Sequence, residues 1–317
     1  MRFSPAVRMV LVVLGSFSLL TSSGCGQKKK AKKGGLTIKQ QLEKAESEST
    51  PDLQANALIK VAKIQLTAAD TTGAKESTKA AFAKLQGDGD ASRLAPQLIA
   101  LAHLCAGAKI ADKKMAREAL KRAISLAETI TDPTRKTEVL AEAGGVYGSK
   151  DGGLADPKAA KETLAKAAEV AESIEPKFRT VALAAVALGY TKAGQNEDAN
   201  EMISTLEEGA RALEEPRKKA EALAAAAKVR FDLGNKTEAI KLLTEASVVA
   251  KGIERSENRG YALLAVAITL DDIGDTKKAL SLLKEADKAA DKVSDPDSQK
   301  KIVEKVRTKM AELEKKK

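Results

Sequence analysis

Apolar side chains recur at helical spacing along most of the chain. Leu183, Val186, Ala187 and Tyr190 stand three and four positions apart, the spacing that puts them on one buried stripe of an α-helix. The stripe then returns at a period of forty. Leu183, Leu223 and Leu263 form one column, Gly194, Gly234 and Gly274 a second, Ala199, Ala239 and Ala279 a third, and Pro176, Pro216, Ser256 and Pro296 a fourth. A fixed period in this range predicts stacked helical hairpins. Proline opens the first helix of each hairpin, where its missing N–H costs nothing. Asp132 and Asp295 add an N-cap carboxylate before their prolines. Glycine closes that helix in a left-handed conformation, and the alanine five positions later lets the second helix cross closely.

The pattern persists upstream in weaker form. TEVLAEAGGVY at 137–147 matches the first-helix run, with Tyr147 opposite Tyr190 and an insert from Gly148 to Ala155 lengthening its turn; Asp156-Pro157 restarts the helix. QLIALAHLCAG at 97–107 and NALIKVAKIQL at 56–66 read as two more first helices. Residues 36–49 and 297–314 read as terminal helices that cap the stack, as an open solenoid requires. The expected fold is all-α, a solenoid of about six hairpins across residues 51–295.

The residues Leu183, Ala187, Tyr190, Gly194, Ala199 and Ile203 give this repeat a small/large spacing that resembles the tetratricopeptide repeat. The resemblance implies a right-handed α-solenoid whose inner surface binds protein or peptide. The chain departs from that pattern in its forty-residue period, which implies a longer second helix, and in having no Trp near Leu183. HEAT-like packing is the alternative architecture.

Composition fits close-packed helices. Hydrophobic residues make up 43% but aromatics only 3%, so the apolar content is aliphatic, with alanine the best helix former. The formal charge of +10 comes from the chain ends: Arg2, Arg8, Lys28, Lys29, Lys30, Lys32 and Lys33 on one side and Lys315, Lys316 and Lys317 on the other. Residues 34–314 are electrically neutral. Duplex binding needs cations massed on one face, and single-strand binding adds aromatic platforms, so nucleic acid is not an expected partner.

At the N-terminus, Arg2 and Arg8 precede an apolar run from Met9 to Leu20, followed by small residues and Cys25. The run is short for a membrane span and suits a signal-peptide core. Ser23-Gly24-Cys25 resembles the lipobox of bacterial lipoproteins, although Ser22 stands where leucine is usual. The resemblance implies that residues 1–24 are a signal peptide, that Cys25 is acylated, and that residues 25–35 form a basic flexible linker. It also implies a location on the bacterial cell envelope facing the periplasm or exterior, the outer membrane in a diderm. An ordinary secretory signal or an uncleaved anchor is the alternative. Residues 36–314 then form the solenoid and 315–317 a basic tail.

Candidate chemistry is sparse. His103 and Cys105 stand two apart on an apolar helix, so they do not share a face, and a metal would lack ligands; a core histidine and a buried free thiol are expected. GDGDAS at 87–92 lacks the downstream glycine and glutamate of a calcium loop and reads as a turn. Lys136, Arg179, Lys219 and Arg259 all fall in the first turn of a first helix, the unfavourable end of their own dipole. Pairing with acids or carbonyls at the end of the preceding helix accounts for them; a ladder of donors along one edge is the alternative. The tetratricopeptide resemblance implies an inner surface carrying Lys192, Glu221, Lys228, Asp232, Tyr261, Asp271 and Asp272, whose mixed signs do not make a basic carboxylate clamp.

The resulting expectation is a lipid-anchored cell-envelope scaffold that binds protein or peptide partners. It has a membrane contact through its N-terminal lipid and no catalysis, metal, cofactor or small-molecule substrate. A structural or self-assembling envelope component is the alternative. A hydrolase on a superhelical scaffold would require a recessed carboxylate with a raised pKa.

Overall fold

The computed structural model describes residues 36–315. The signal-peptide, Cys25 and linker expectations lie outside the described residues, as does most of the basic tail. The described residues are helical throughout, with no strand. In chain order the helices are α1 (Ile38–Glu46), α2 (Pro51–Thr67), α3 (Thr71–Lys84), α4 (Ala91–Ala106), α5 (Lys113–Glu128), α6 (Pro133–Gly148) and α7 (Pro157–Glu172). There follow α8 (Thr180–Ala193), α9 (Asn196–Ala212), α10 (Pro216–Asp232), α11 (Lys236–Lys251), α12 (Ser256–Asp272), α13 (Thr276–Ala290) and α14 (Pro296–Glu314).

These helices fall into two compact units, residues 36–173 with 192–194, and residues 174–191 with 195–315. Each unit is a segment of α-solenoid made of stacked helical hairpins. In the first, α2 pairs with α3, α4 with α5 and α6 with α7, while α2, α4 and α6 stack in succession under α1. In the second, α10 pairs with α11 and α12 with α13, the first helices α10 and α12 stack, and α14 closes the end against α12 and α13. Residues 36–49 and 297–314 are the capping helices that the pattern predicts.

The columns explain the packing. Leu183, Leu223 and Leu263 are buried, as are Ala199, Ala239 and Ala279. Burying each leucine stabilises its hairpin by about 2 kcal/mol. Crossing is close where α6 meets α7. A Cβ added at Gly144 would stand 2.6 Å from Leu164 Cγ, so only glycine fits. Aspartates start many of the helices: Asp132 accepts from the Thr134 N–H at 2.9 Å and Asp295 from Ser298 at 2.8 Å. Asp70, Asp90, Asp112, Asp156 and Asp275 do the same at α3, α4, α5, α7 and α13.

Two boundaries differ from expectation. Pro176 does not open α8; residues 176–179 form a turn, closed by the Phe178 N–H on Glu175 O, and the helix begins at Thr180. Helix α4 begins at Ala91, five residues before Pro96, rather than at 97. Proline at that depth has no N–H for the Ser92 carbonyl. The Arg135 guanidinium from α6 donates to that carbonyl at 3.2 Å instead, which is how an internal proline is tolerated.

Candidate partner-binding face

The first helices of each unit share one face, because helices that stack in parallel at a constant period bring equivalent positions into a row. In the second unit, positions 221, 261 and 301 form one such row on α10, α12 and α14. Glu221 and Tyr261 come together there through Arg217. Its guanidinium pairs with Glu221 at 2.8 Å and lies over the Tyr261 ring, 4.5 Å from the centroid. Lys305 reaches the same ring from α14 at 5.7 Å. Cations over an aromatic face are attracted by its quadrupole, by about 0.5–1 kcal/mol at exposed sites.

The other expected residues are distributed differently. Lys228 and Asp232 bond each other one turn apart on α10. Asp271 is buried, held by Lys309 of α14 at 3.0 Å and reached by the Thr276 hydroxyl at 3.3 Å. It serves as an internal strut that ties the capping helix down. Asp272 beside it is partly buried. Lys192, at the end of α8, belongs to the other unit, where its charge acts on Glu142 and His103.

Lys305 was missed because residues 297–314 read only as a cap, and Arg217, in the first turn of α10, lies outside the positions that the resemblance puts on the inner surface. Placing Pro296 in the proline column already aligns Lys301 with Tyr261, and that register was the available signal. Phe178, exposed in the turn before α8, carries Lys177 at 4.9 Å and Lys218 at 5.7 Å and was missed for the same reason that its turn was read as helix.

The basic column has a structural role in full. Lys136 pairs with Glu128, the last residue of α5, at 2.7 Å. Arg179 donates to Ile174 O at 3.1 Å, Lys219 to Arg211 O at 2.6 Å and Arg259 to Ile253 O at 3.3 Å. Lys136, Lys219 and Arg259 sit at the wrong end of their own helices, and Arg179 just ahead of its own, because each serves the carboxyl end of the preceding helix.

Titratable groups in the first unit are shifted by packing. Cys105 is buried and free, its thiol pushed up to about 12 by burial, with Sγ 3.6 Å from Met115 Sδ. His103 is half-buried rather than part of the core. A Cβ at Gly152 of the insert would lie 3.0 Å from its ring, and burial lowers its pKa, with the charges of Lys192 and Lys63 adding to the effect. Glu138 and Glu142, one turn apart on α6, are both raised by burial. Arg135 bonds Glu138 at 2.8 Å, and Lys192 and Arg135 oppose the shift at Glu142. A cavity of about 300 Å³ lies elsewhere, lined by Lys75, Thr78, Lys79, Ile110, Ala111 and Asp112. Among the described residues no group of three or more His, Cys, Asp or Glu could hold a metal ion, and no helix is long and apolar enough to cross a membrane. Of GDGDAS, residues 87–90 form the turn before α4, with Asp90 as its N-cap, and Ala91 and Ser92 open the helix.

No family model and no curated protein matches the chain. Solved structures with partial likeness are helical. Ton1535 from Thermococcus onnurineus NA1 is 16% identical, with 85% of this chain and 83% of that one covered and a TM-score of 0.32. A Rap protein complexed with competence and sporulation factor is 14% identical, with 86% and 80% covered and a TM-score of 0.35. A circular tandem repeat protein is 15% identical, with 88% and 77% covered and a TM-score of 0.32. Overlaps this loose carry no inference about what the chain binds.

Proposed function

We propose that this protein is a lipid-anchored scaffold of the bacterial cell envelope that binds protein or peptide partners through the first-helix face of its repeats and carries out no chemistry. The observation that carries the reading is the row of equivalent first-helix positions. A partner laid across it meets a different side chain on each successive helix, Glu221, Tyr261 and Lys301, on a backbone fixed by buried columns. The anchor rests on Ser23-Gly24-Cys25 after the apolar run. Mass spectrometry of the mature N-terminus should find acylated Cys25, and Cys25→Ser should move the protein from the membrane to the soluble fraction. Processing at another residue defeats the anchor. Crosslinking in intact cells should return a reproducible envelope partner; repeated empty capture defeats the scaffold.

The hydrolase alternative required a recessed carboxylate with a raised pKa, and Glu142 has that property. Burial within the helix stack accounts for its shift, and the pH dependence of stability in Glu142→Gln reads that role directly.

A further inference from the structure

On the first-helix face of the second unit, most charges are already committed. Glu221 is held by Arg217, Asp232 by Lys228 and Asp271 by Lys309. Lys301 and Lys305 are exposed, stand one turn apart on α14 and make no ion pair among the described residues. Lys305 instead lies over Tyr261, opposite the helix that brings Arg217 to the same ring. Ile268, two turns beyond Tyr261 on α12, is also part-exposed, so the row combines apolar surface with uncommitted positive charge.

We propose that the Arg217–Tyr261–Lys305 row, with Lys301 beside it, is the docking point for an acidic segment of a partner protein that alternates carboxylate with apolar side chains. The carboxylates meet Lys301 and Lys305, and an apolar neighbour packs on Tyr261 and Ile268. Charge complementarity selects this partner: Glu221, Asp232 and Asp271 are paired within the fold, while Lys301 and Lys305 make no ion pair among the described residues. An anionic lipid surface would use the lysines but leave the aromatic and apolar positions without a role. The proposal rests on the scaffold reading and names the chemistry of its partner.

The test uses the full chain and a short fluorescein-labelled peptide that alternates glutamate with leucine, with a lysine–leucine peptide as control. Tyr261 is part-exposed whereas Tyr147 and Tyr190 are buried, so fluorotyrosine labelling gives a reporter at the site and two internal references. The acidic peptide should bind saturably, shift the Tyr261 resonance alone, and weaken as salt rises. K305E should raise its Kd by about tenfold, and Y261A by about fivefold, with the circular dichroism unchanged. No saturable binding, binding indifferent to K305E, or a silent Tyr261 overturns the proposal. So does binding to phosphatidylglycerol vesicles in the absence of peptide binding. If crosslinking captures an envelope partner whose binding K305E does not alter, the docking point falls and the scaffold stands. Loss of capture in K305E supports both.

Discussion

Residues at the hairpin turns show how one conformational demand is met in two ways. Gly194, Gly234 and Gly274 adopt φ of +73°, +84° and +90°, and the next residue donates back five positions, Asn235 to Arg230 O and Asp275 to Leu270 O at 2.8 Å. In the upstream hairpins the left-handed position falls to Ala69, Ala111 and Ala155, at +64°, +56° and +52°. An L-residue with a Cβ is strained there by about 1 kcal/mol. Ala69→Gly should therefore stabilise the protein by about 1 kcal/mol in urea unfolding. Gly234→Ala should destabilise it by a similar amount, because nothing else lies near enough to obstruct the added methyl. The glycine column was legible as a repeat. The alanines were not, because alanine normally signals helix and only the closed turn forces it out of one.

Helices in this chain are held end to side by cations that serve the carbonyls of their neighbours. Arg122 of α5 is the strongest case: it donates to Leu85 O at 2.8 Å, Gln86 O at 2.7 Å and Gly87 O at 2.8 Å, closing the end of α3. Arg122→Ala leaves those carbonyls to water and should cost about 2 kcal/mol of unfolding free energy, while Lys121→Ala, exposed on the same helix, should cost little. On the second helices the same ion pair recurs one period apart, Arg211 with Glu245 at 3.3 Å and Lys251 with Glu285 at 2.9 Å. Sequence placed Lys136, Arg179, Lys219 and Arg259 in register and gave them carbonyl or acid partners correctly. It missed Arg122 and Arg135, whose partners, a loop and a proline-orphaned carbonyl, belong to no repeating column.

At the scale of the whole molecule, stability should depend on pH through carboxyls that helix stacking buries. Burial favours the neutral form of Glu142, so the folded chain holds a proton that the unfolded chain releases. That contribution is complete below the ordinary carboxylate range and is lost as pH rises through the raised value. Glu142→Gln should abolish the loss. The variant should gain melting temperature relative to the natural protein at pH 8 and lose that advantage near pH 4, with Glu138, Arg135 and Lys192 left in place around it. A gain of equal size at both pH values would show that charge is not the cause. The sequence by itself determined the helical class, the period, the capping helices, the buried columns and the electrical neutrality of residues 34–314. All of these follow from local spacing and composition, which fix the face each helix buries. Only the tertiary structure decided that Asp271 turns inward to Lys309, that Arg217 and Lys305 share Tyr261, and that Glu142 is desolvated. Those outcomes depend on which side chains from different helices arrive at the same height, and a one-dimensional period leaves that distance unspecified.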